Sequence, residues 1–485
     1  MIRRRQFIKT AGLVAVGTGL AGCTGNDGGN GGSNGDSGGD TSSSESGDTS
    51  TSGGSDGESD TSTSSGSDES GNTSTGGGSE GGGNTSTNSS DTGTGGGSLS
   101  IGIVTDTSGP YSHLGNSVIR SLKLGLAQAL DADTSGLADS NTIEGSGMTV
   151  ELIPKNSELA ADTGRQKARQ LVQQDNVDIL QGSVSSSVAA AVKDVAVTSQ
   201  TPMFIDTAAA TSLTGSDCSK YIFRTSQTSY QDALAGGRYA ANNLGSSFYF
   251  VGADYTWGQD SISQWKSVIT ENGGSVAGES FPSVGTDDFS SFFREMNNSD
   301  ADAMVVALTG ADAITFSRDL SNAGGNFPVA ATGVTTVPWL GQVGQTATRF
   351  QGTPKYFWTF PDNETNDWII EQYAKRWDTV PSIFTAGGHA AGYAVAQGAM
   401  SAGSMEADPL VEQWHGMTIE KTARGDGAYR LRECDHQAAM PMYLGHFEQG
   451  QTSDVAPDIK PVLDETYDAE PSIRSCSEID CSIEL

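Results

Sequence analysis

From residue 99 onward the chain alternates short, almost continuous apolar runs with longer amphipathic stretches. Leu99–Thr105 (LSIGIVT) predicts a strand, and after a Gly-Pro loop the spacing of Leu122, Leu126 and Leu130 predicts a long helix. Strands follow at Val150–Ile153, Val177–Leu180 and Pro202–Ile205, separated by helices over Ala160–Gln174 and Ser187–Thr198. After Tyr221–Arg224 the alternation starts again. It reads helix Gln231–Asn243, strand Phe248–Val251, helix Ser261–Glu271 and strand Val276–Phe281. Then come helix Phe289–Asn297, strand Ala303–Leu308, helix Ala313–Ala323 and strand Val329–Ala331. Helices at Asn366–Trp377 and Gly387–Ala402 and short strands near Met417–Ile419, Ala428–Leu431 and Met442–Phe447 complete the pattern. Strands apolar on both faces belong to parallel sheets covered by helices, so the expected fold class is α/β, with two doubly wound lobes in tandem.

The first 98 residues lack this periodicity. Arg3-Arg4-Arg5-Gln6-Phe7-Ile8-Lys9 has the form of a twin-arginine export signal, and the apolar stretch Ala11–Leu20 is too short to span a bilayer. It ends in Leu20-Ala21-Gly22-Cys23, a lipoprotein processing box. Residues 1–22 are therefore expected to be a twin-arginine lipoprotein signal peptide and Cys23 the lipidated residue. Residues 24–98 use only Gly, Ser, Thr, Asn, Asp and Glu, which cannot offset the entropy of ordering, so 23–98 is expected to be a lipid-anchored disordered linker. Such a coil spans roughly 45–50 Å. Five N-glycosylation patterns begin at Asn72, Asn84, Asn88, Asn297 and Asn363.

Charge narrows the function. The net charge is −32, with 59 acids against 27 bases, only 11 of them Lys. This surface repels phosphate backbones and excludes nucleic acid as a partner. Hydrated carboxylates in excess keep a chain soluble in concentrated salt, and together with the export signal they point to a haloarchaeal cell surface. The expected location is the outer face of the cell membrane, held by lipid alone.

No catalytic pattern stands out. There is no G-x-S-x-G elbow, no phosphate loop, no H-E-x-x-H and no G-x-G-x-x-G after the first strand. The five His (113, 389, 415, 436 and 446) are dispersed, and Cys434-Asp435-His436 lacks a second ligand pair. No enzyme, metal or cofactor is expected. With Cys23 given to lipid, four Cys remain, an even number in an exported chain. Cys476–Cys481 and Cys218–Cys434 suit the layout best, with the other connectivities open.

In open α/β sheets ligands sit beyond the carboxyl ends of the strands, beside helix N-termini. The loops there are small and polar: 107–116 after the first strand, with Tyr111; 182–187 after the third; and 206–211 after the fourth. Ser185 also suits a helix N-cap.

The segments TSGPYSHLG, QGSVSSSVAAAV, MFIDTAAATSLT, KYIFRTS, GADYTWGQD, AGGHAAGYAVAQGAMSAGS and RECDHQAAMPMYLGHFE, in this order, resemble the substrate-binding proteins of branched-chain amino acid, amide and urea ABC transporters. The resemblance runs over 99–450. It implies a type I periplasmic binding protein with two Rossmann-like lobes joined by three crossovers: lobe 1 about 99–226 and 360–432, lobe 2 about 227–359 and 433–485. It implies that Ser186 or Ser187 holds a ligand carboxylate. Thr207, Ala208 and Ala209 would add backbone and hydroxyl contacts, and Tyr255 and Trp257 with Tyr111 would line the site. The acid that amino-acid binders place in the stretch matching Ala330–Gly333 is missing, and Leu114 replaces an aromatic. Asp206, Asp254 or Asp312 would have to supply the negative charge for an ammonium. The implied function is a monomeric solute-binding lipoprotein that binds a small amino acid or amide-like ligand (a branched-chain amino acid, an amide or urea) between its lobes and hands it to permease subunits driven by separate ATPases. The alternative is a sensory module signalling to a membrane receptor.

Overall fold

The computed structural model describes residues 97–323 and 327–485. The expected signal peptide, the lipidation at Cys23, the patterns at Asn72, Asn84 and Asn88 and nearly all of the linker lie outside the described residues. The linker's expected last two residues already belong to a strand.

Strand β1 (Gly97–Thr105) leads into helix α1 (Ser112–Ala129), followed by β2 (Thr142–Gly145), β3 (Met148–Asn156), α2 (Ala161–Gln173), β4 (Ile179–Gly182), α3 (Ser186–Ser199), β5 (Met203–Ile205) and β6 (Ile222–Arg224). These six strands form one sheet in the order β2-β3-β1-β4-β5-β6. Only the edge strand β2 runs antiparallel. Its single buried residue, Ile143, leaves too weak an apolar signal to be seen in the sequence. Ile101, Ile103 and Val104 of β1 are fully buried, as the continuous apolar run requires.

The second lobe contains α4 (Ser229–Asn243), β7 (Ser247–Gly252), α5 (Thr256–Glu271), β8 (Ser275–Ser280), α6 (Ser290–Asn297), β9 (Ala303–Ala307), α7 (Gly310–Asn322), β10 (Val329–Thr332), α8 (Val337–Gln342) and β11 (Phe350–Gly352). The chain then returns through α9 (Glu364–Trp377), α10 (Thr385–Ala402) and α11 (Ala407–Trp414). A small sheet follows, made of β12 (Thr418–Ile419), β13 (Tyr429–Leu431) and β14 (Ala438–Ala439). The hairpin β15 (Met442–Gln449) and β16 (Ile459–Tyr467) completes the second sheet, ordered β16-β15-β11-β10-β9-β7-β8. This is the type I periplasmic binding fold.

Helix α10 explains its own Gly-rich sequence. It crosses α1 so closely that a Cβ at Gly125 would stand 2.0 Å from the His389 carbonyl oxygen, and one at Gly392 2.3 Å from that of Leu122. Trp339 and Trp414 are fully buried, and Trp358 nearly so.

The chain passes between the lobes at 224–229, 352–364 and 439–442, and β16 is followed by a fourth passage. From Glu470 the tail lies on the first lobe, where Glu470 pairs with Arg430 at 2.7 Å. The resemblance implies that 433–485 belongs to the second lobe, but Arg224 and Gln437 form a bridge and His436 stacks on Phe223 at 4.1 Å, so this stretch sits with the first lobe up to β14. The disulfides differ from the favoured pairing. Cys434 joins Cys476 and Cys218 joins Cys481. The tail meets the β13–β14 turn first and the segment before β6 second, so the cysteines pair with the surface they cross rather than with each other.

Candidate functional site

The loops after β4 and β5 and the start of α3 face the starts of α5 and α7 across the gap between the lobes. Ser187 Oγ and Thr256 Oγ1 meet at 2.9 Å. Asp260 Oδ2 accepts from the Thr211 amide at 2.8 Å and from its hydroxyl at 3.0 Å. Gly310, at φ +61°, lies against the Tyr111 ring, where a Cβ would come within 2.9 Å of a ring carbon. The lobes are therefore in contact in this structure.

Between them is a narrow slot. The first lobe contributes Val184, Thr207, Ala209 and Phe384; the second contributes Tyr255, Trp257, Thr309 and Gly333; Lys355 closes it from a connecting segment. Most of its wall is aromatic or aliphatic. Its one formal charge is the Lys355 ammonium, and no Asp or Glu lines it. The Trp257 Nε1 and Thr309 Oγ1 are buried and have no hydrogen-bond partner. Buried donors in that state favour a ligand that brings acceptors.

The residues singled out in the sequence separate into three groups. Thr207, Ala209, Tyr255 and Trp257 line the slot. Tyr111 is buried beside it, its hydroxyl close to that of Tyr255, and burial and nearby Asp312 push its ionisation upward. Burial and Tyr111 do the same to Tyr255, so both phenols remain protonated. Ser186, Ser187 and Ala208 are committed elsewhere. The Ser186 hydroxyl accepts from the Ala210 amide at 3.2 Å, Ser187 bonds Thr256, and the Ala208 carbonyl accepts from Ser226. Ser185 caps α3. Of the three acids considered, Asp206 takes the Thr207 hydroxyl and turns its other oxygen towards Gly388 on α10. Asp254 is exposed on the surface, and Asp312 accepts from the Gly285 amide.

Lys355 had no signal in the sequence. Its Nζ lies 2.9 Å from Asp232 Oδ2, both side chains buried. Asp232 also accepts from Gln227 and Thr332 at 2.9 and 3.1 Å. Arg424 donates to Gln227 Oε1 and to the Lys355 and Pro441 carbonyls. Gln437 accepts from Arg224 and donates to the Ser226 carbonyl.

A two-lobed α/β chain with a slot between its lobes has the architecture of a ligand-binding protein, and comparison with known proteins makes the class specific. The periplasmic binding protein family matches residues 98–452, and the chain belongs to that family. Leu/Ile/Val-binding protein homologs 6 of Brucella abortus and Brucella suis are 26% identical over 212 residues, covering 43% of this chain and 50% of theirs. The chain thus spans about half the length of the curated relatives it matches. A periplasmic binding protein from Burkholderia mallei superposes with a TM-score of 0.69 at 22% identity, over 79% of this chain and 98% of that one. A solute-binding protein from Rhodopseudomonas palustris in complex with benzoate gives 0.67 at 21%, over 77% and 97%. A leucine-binding protein from Thermotoga maritima gives 0.63 at 16%, over 76% and 99%.

Proposed function

We propose that the chain is the extracytoplasmic solute-binding component of an ABC importer, and that its solute is a small carboxylate with an apolar or aromatic body. The observation that carries this reading is the slot lining: the unpartnered Trp257 and Thr309 donors set in a largely apolar wall with no lining Asp or Glu, beside a Lys355 ammonium whose charge is already balanced by Asp232. A free α-amino group entering the slot would lose water and meet no lining Asp or Glu, the Asp232 carboxylate behind Lys355 being already paired, which is costly. The benzoate complex of the Rhodopseudomonas palustris neighbour supports the same solute class. In this reading Thr207, Ala209, Tyr255, Trp257 and Lys355 contact the ligand, Tyr111 backs the site, and Ser187 with Thr256 seals it. The twin-arginine and lipoprotein signals would place the chain on the outer membrane face, tethered through Cys23, where it delivers its ligand to a permease with separate ATPases.

The test is a thermal-shift and calorimetric screen of the full chain in molar KCl. The panel is benzoate, 4-hydroxybenzoate, a branched aliphatic acid, leucine, leucinamide and urea. A ligand at 100 times its dissociation constant adds about 2.7 kcal/mol. Stabilisation by the acids and none by leucine or leucinamide is the expected outcome. Stabilisation by leucine alone would overturn the carboxylate reading, and stabilisation by none would remove the importer role for this solute class.

A further inference from the structure

We propose that the C-terminal tail is a strap that couples the two lobes and favours their closed arrangement. Three crossovers join the lobes; the tail adds a fourth connection, and it is covalently fixed. The chain leaves the second lobe at Tyr467, the end of β16. Within a few residues it is bound to the first lobe by the Glu470–Arg430 ion pair, then by Cys434–Cys476 and Cys218–Cys481, whose Cα atoms are 6.1 and 5.9 Å apart. Arg432, itself paired with Asp435, donates to the Arg474 carbonyl. Position 474 therefore belongs mechanically to the first lobe.

Its side chain reaches the other lobe. The Arg474 guanidinium lies 4.2 Å from the centre of the Tyr230 ring on α4 and donates to Gln264 Oε1 on α5 at 3.4 Å. Together with Thr211 and Asp260, these groups line a half-open cavity of about 350 Å³ at the hinge, walled on one side by Ile473, Glu478, Ile479 and Asp480 of the tail. When α4 and α5 swing away with the second lobe, Arg474 cannot follow, because Cys476 is anchored two residues away. Its contacts with Tyr230 and Gln264 then exist only when the lobes are together. Any contact made only in the closed state shifts the population towards it by its own free energy. Neither disulfide is needed to build a lobe core, since both join surface segments to the tail.

The experiment is single-molecule fluorescence transfer between probes at Val197 on the first lobe and Val276 on the second, both exposed. The probes enter as non-canonical residues in the full chain, without ligand and with saturating benzoate. In Arg474→Ala, which keeps both disulfides, the ligand-free distance distribution should shift to longer values. The closed-to-open ratio should fall roughly two- to fivefold, the size of an exposed cation–π contact. Cys218→Ser/Cys481→Ser, where it folds, should shift the distribution at least as far. A ligand-free distribution in Arg474→Ala that superimposes on the parent overturns the strap, whatever the cysteine variant does. This readout needs no ligand, so absence of a response to benzoate in the parent would count against the solute assignment alone.

Discussion

The Arg424 guanidinium donates to the Gln227 side-chain oxygen at 2.9 Å. The same guanidinium also holds the Lys355 and Pro441 carbonyls, so a single buried cation touches all three crossovers. It stacks 4.8 Å from the Tyr443 ring. A planar fork of donors can serve several acceptors in fixed directions, which an ammonium cannot. Arg424→Lys should lower unfolding free energy by about 1–3 kcal/mol, the cost of leaving buried acceptors unpaired. Urea unfolding of the full chain reads this directly, and an unchanged midpoint would show that the clamp does not hold the crossovers.

Lys355 and Asp232 form a pair with side chains 5% and 0% exposed. Removing one partner of such a pair leaves a buried charge uncompensated. Lys355→Met should therefore cost about 3–5 kcal/mol of stability and abolish binding of the acid ligands. Lys355→Met/Asp232→Leu should recover much of the stability but none of the binding. If the double variant binds benzoate as the parent does, Lys355 is not in the site.

Asp260 ties the second lobe to Thr211 of the first through two hydrogen bonds to one carboxylate oxygen. Charge-assisted bonds of this kind contribute about 1.5–3 kcal/mol each. Asp260→Ala should weaken ligand affinity by roughly tenfold for each 1.4 kcal/mol lost from the closed form. Ser187→Ala, which removes one neutral bond to Thr256, should have a smaller effect in the same direction. Calorimetric titration with benzoate checks both, and equal affinities in all three proteins would mean that these contacts do not form on closure.

His389 is fully buried against Gln128, and His436 lies beside His415. Burial holds both at about 3, below the ordinary 6.5, with His415 adding to the effect on His436. A folded state that resists protonation loses stability as pH falls from the unfolded value of 6.5 towards 3, because the unfolded chain binds the protons instead. Asp206, pushed up to about 6 by burial, acts oppositely, since its folded form takes a proton first between 6 and 4. Asp106 and Asp312, also raised by burial, act with Asp206, and His113, also lowered, acts with the other histidines; the displacements of His389 and His436 are the largest of these, so net stability should fall with acidification over that window. His389→Gln should flatten the slope and Asp206→Asn should steepen it. Urea midpoints at pH 7, 5.5 and 4.5 measure both, and a slope unchanged by His389→Gln would rule out its titration as the cause.

The apolar runs located the central strands because a strand buried on both faces has little choice of residue. The run around Ile101–Val104 is one such case. Two wet-faced edge strands escaped notice: β2 buries only Ile143, and β16 carries exposed Glu465 and Asp464 beside its buried positions. The polar loops at the strand ends pointed to the gap between the lobes, and Thr207, Ala209, Tyr255 and Trp257 stand there. Ser186 has the right loop, but its hydroxyl turns back to the Ala210 amide. Which way a side chain turns depends on the donors packed around it, and a loop motif does not record them.

Local composition alone determined that this chain alternates strands and helices, that its surface is acidic and that its later cysteines are even in number. Those properties follow from periodicity, charge and redox chemistry, which act over a few residues or on the whole surface at once. Tertiary structure decided the rest. Lys355 and Asp232 are 123 residues apart, Arg424 gathers three crossovers from across the chain, and Cys218 reaches Cys481 across 263 residues. Each such partner is selected by where the folded lobes bring the backbone, and hydrogen bonds, ion pairs and disulfides act only over the few ångströms that folding closes.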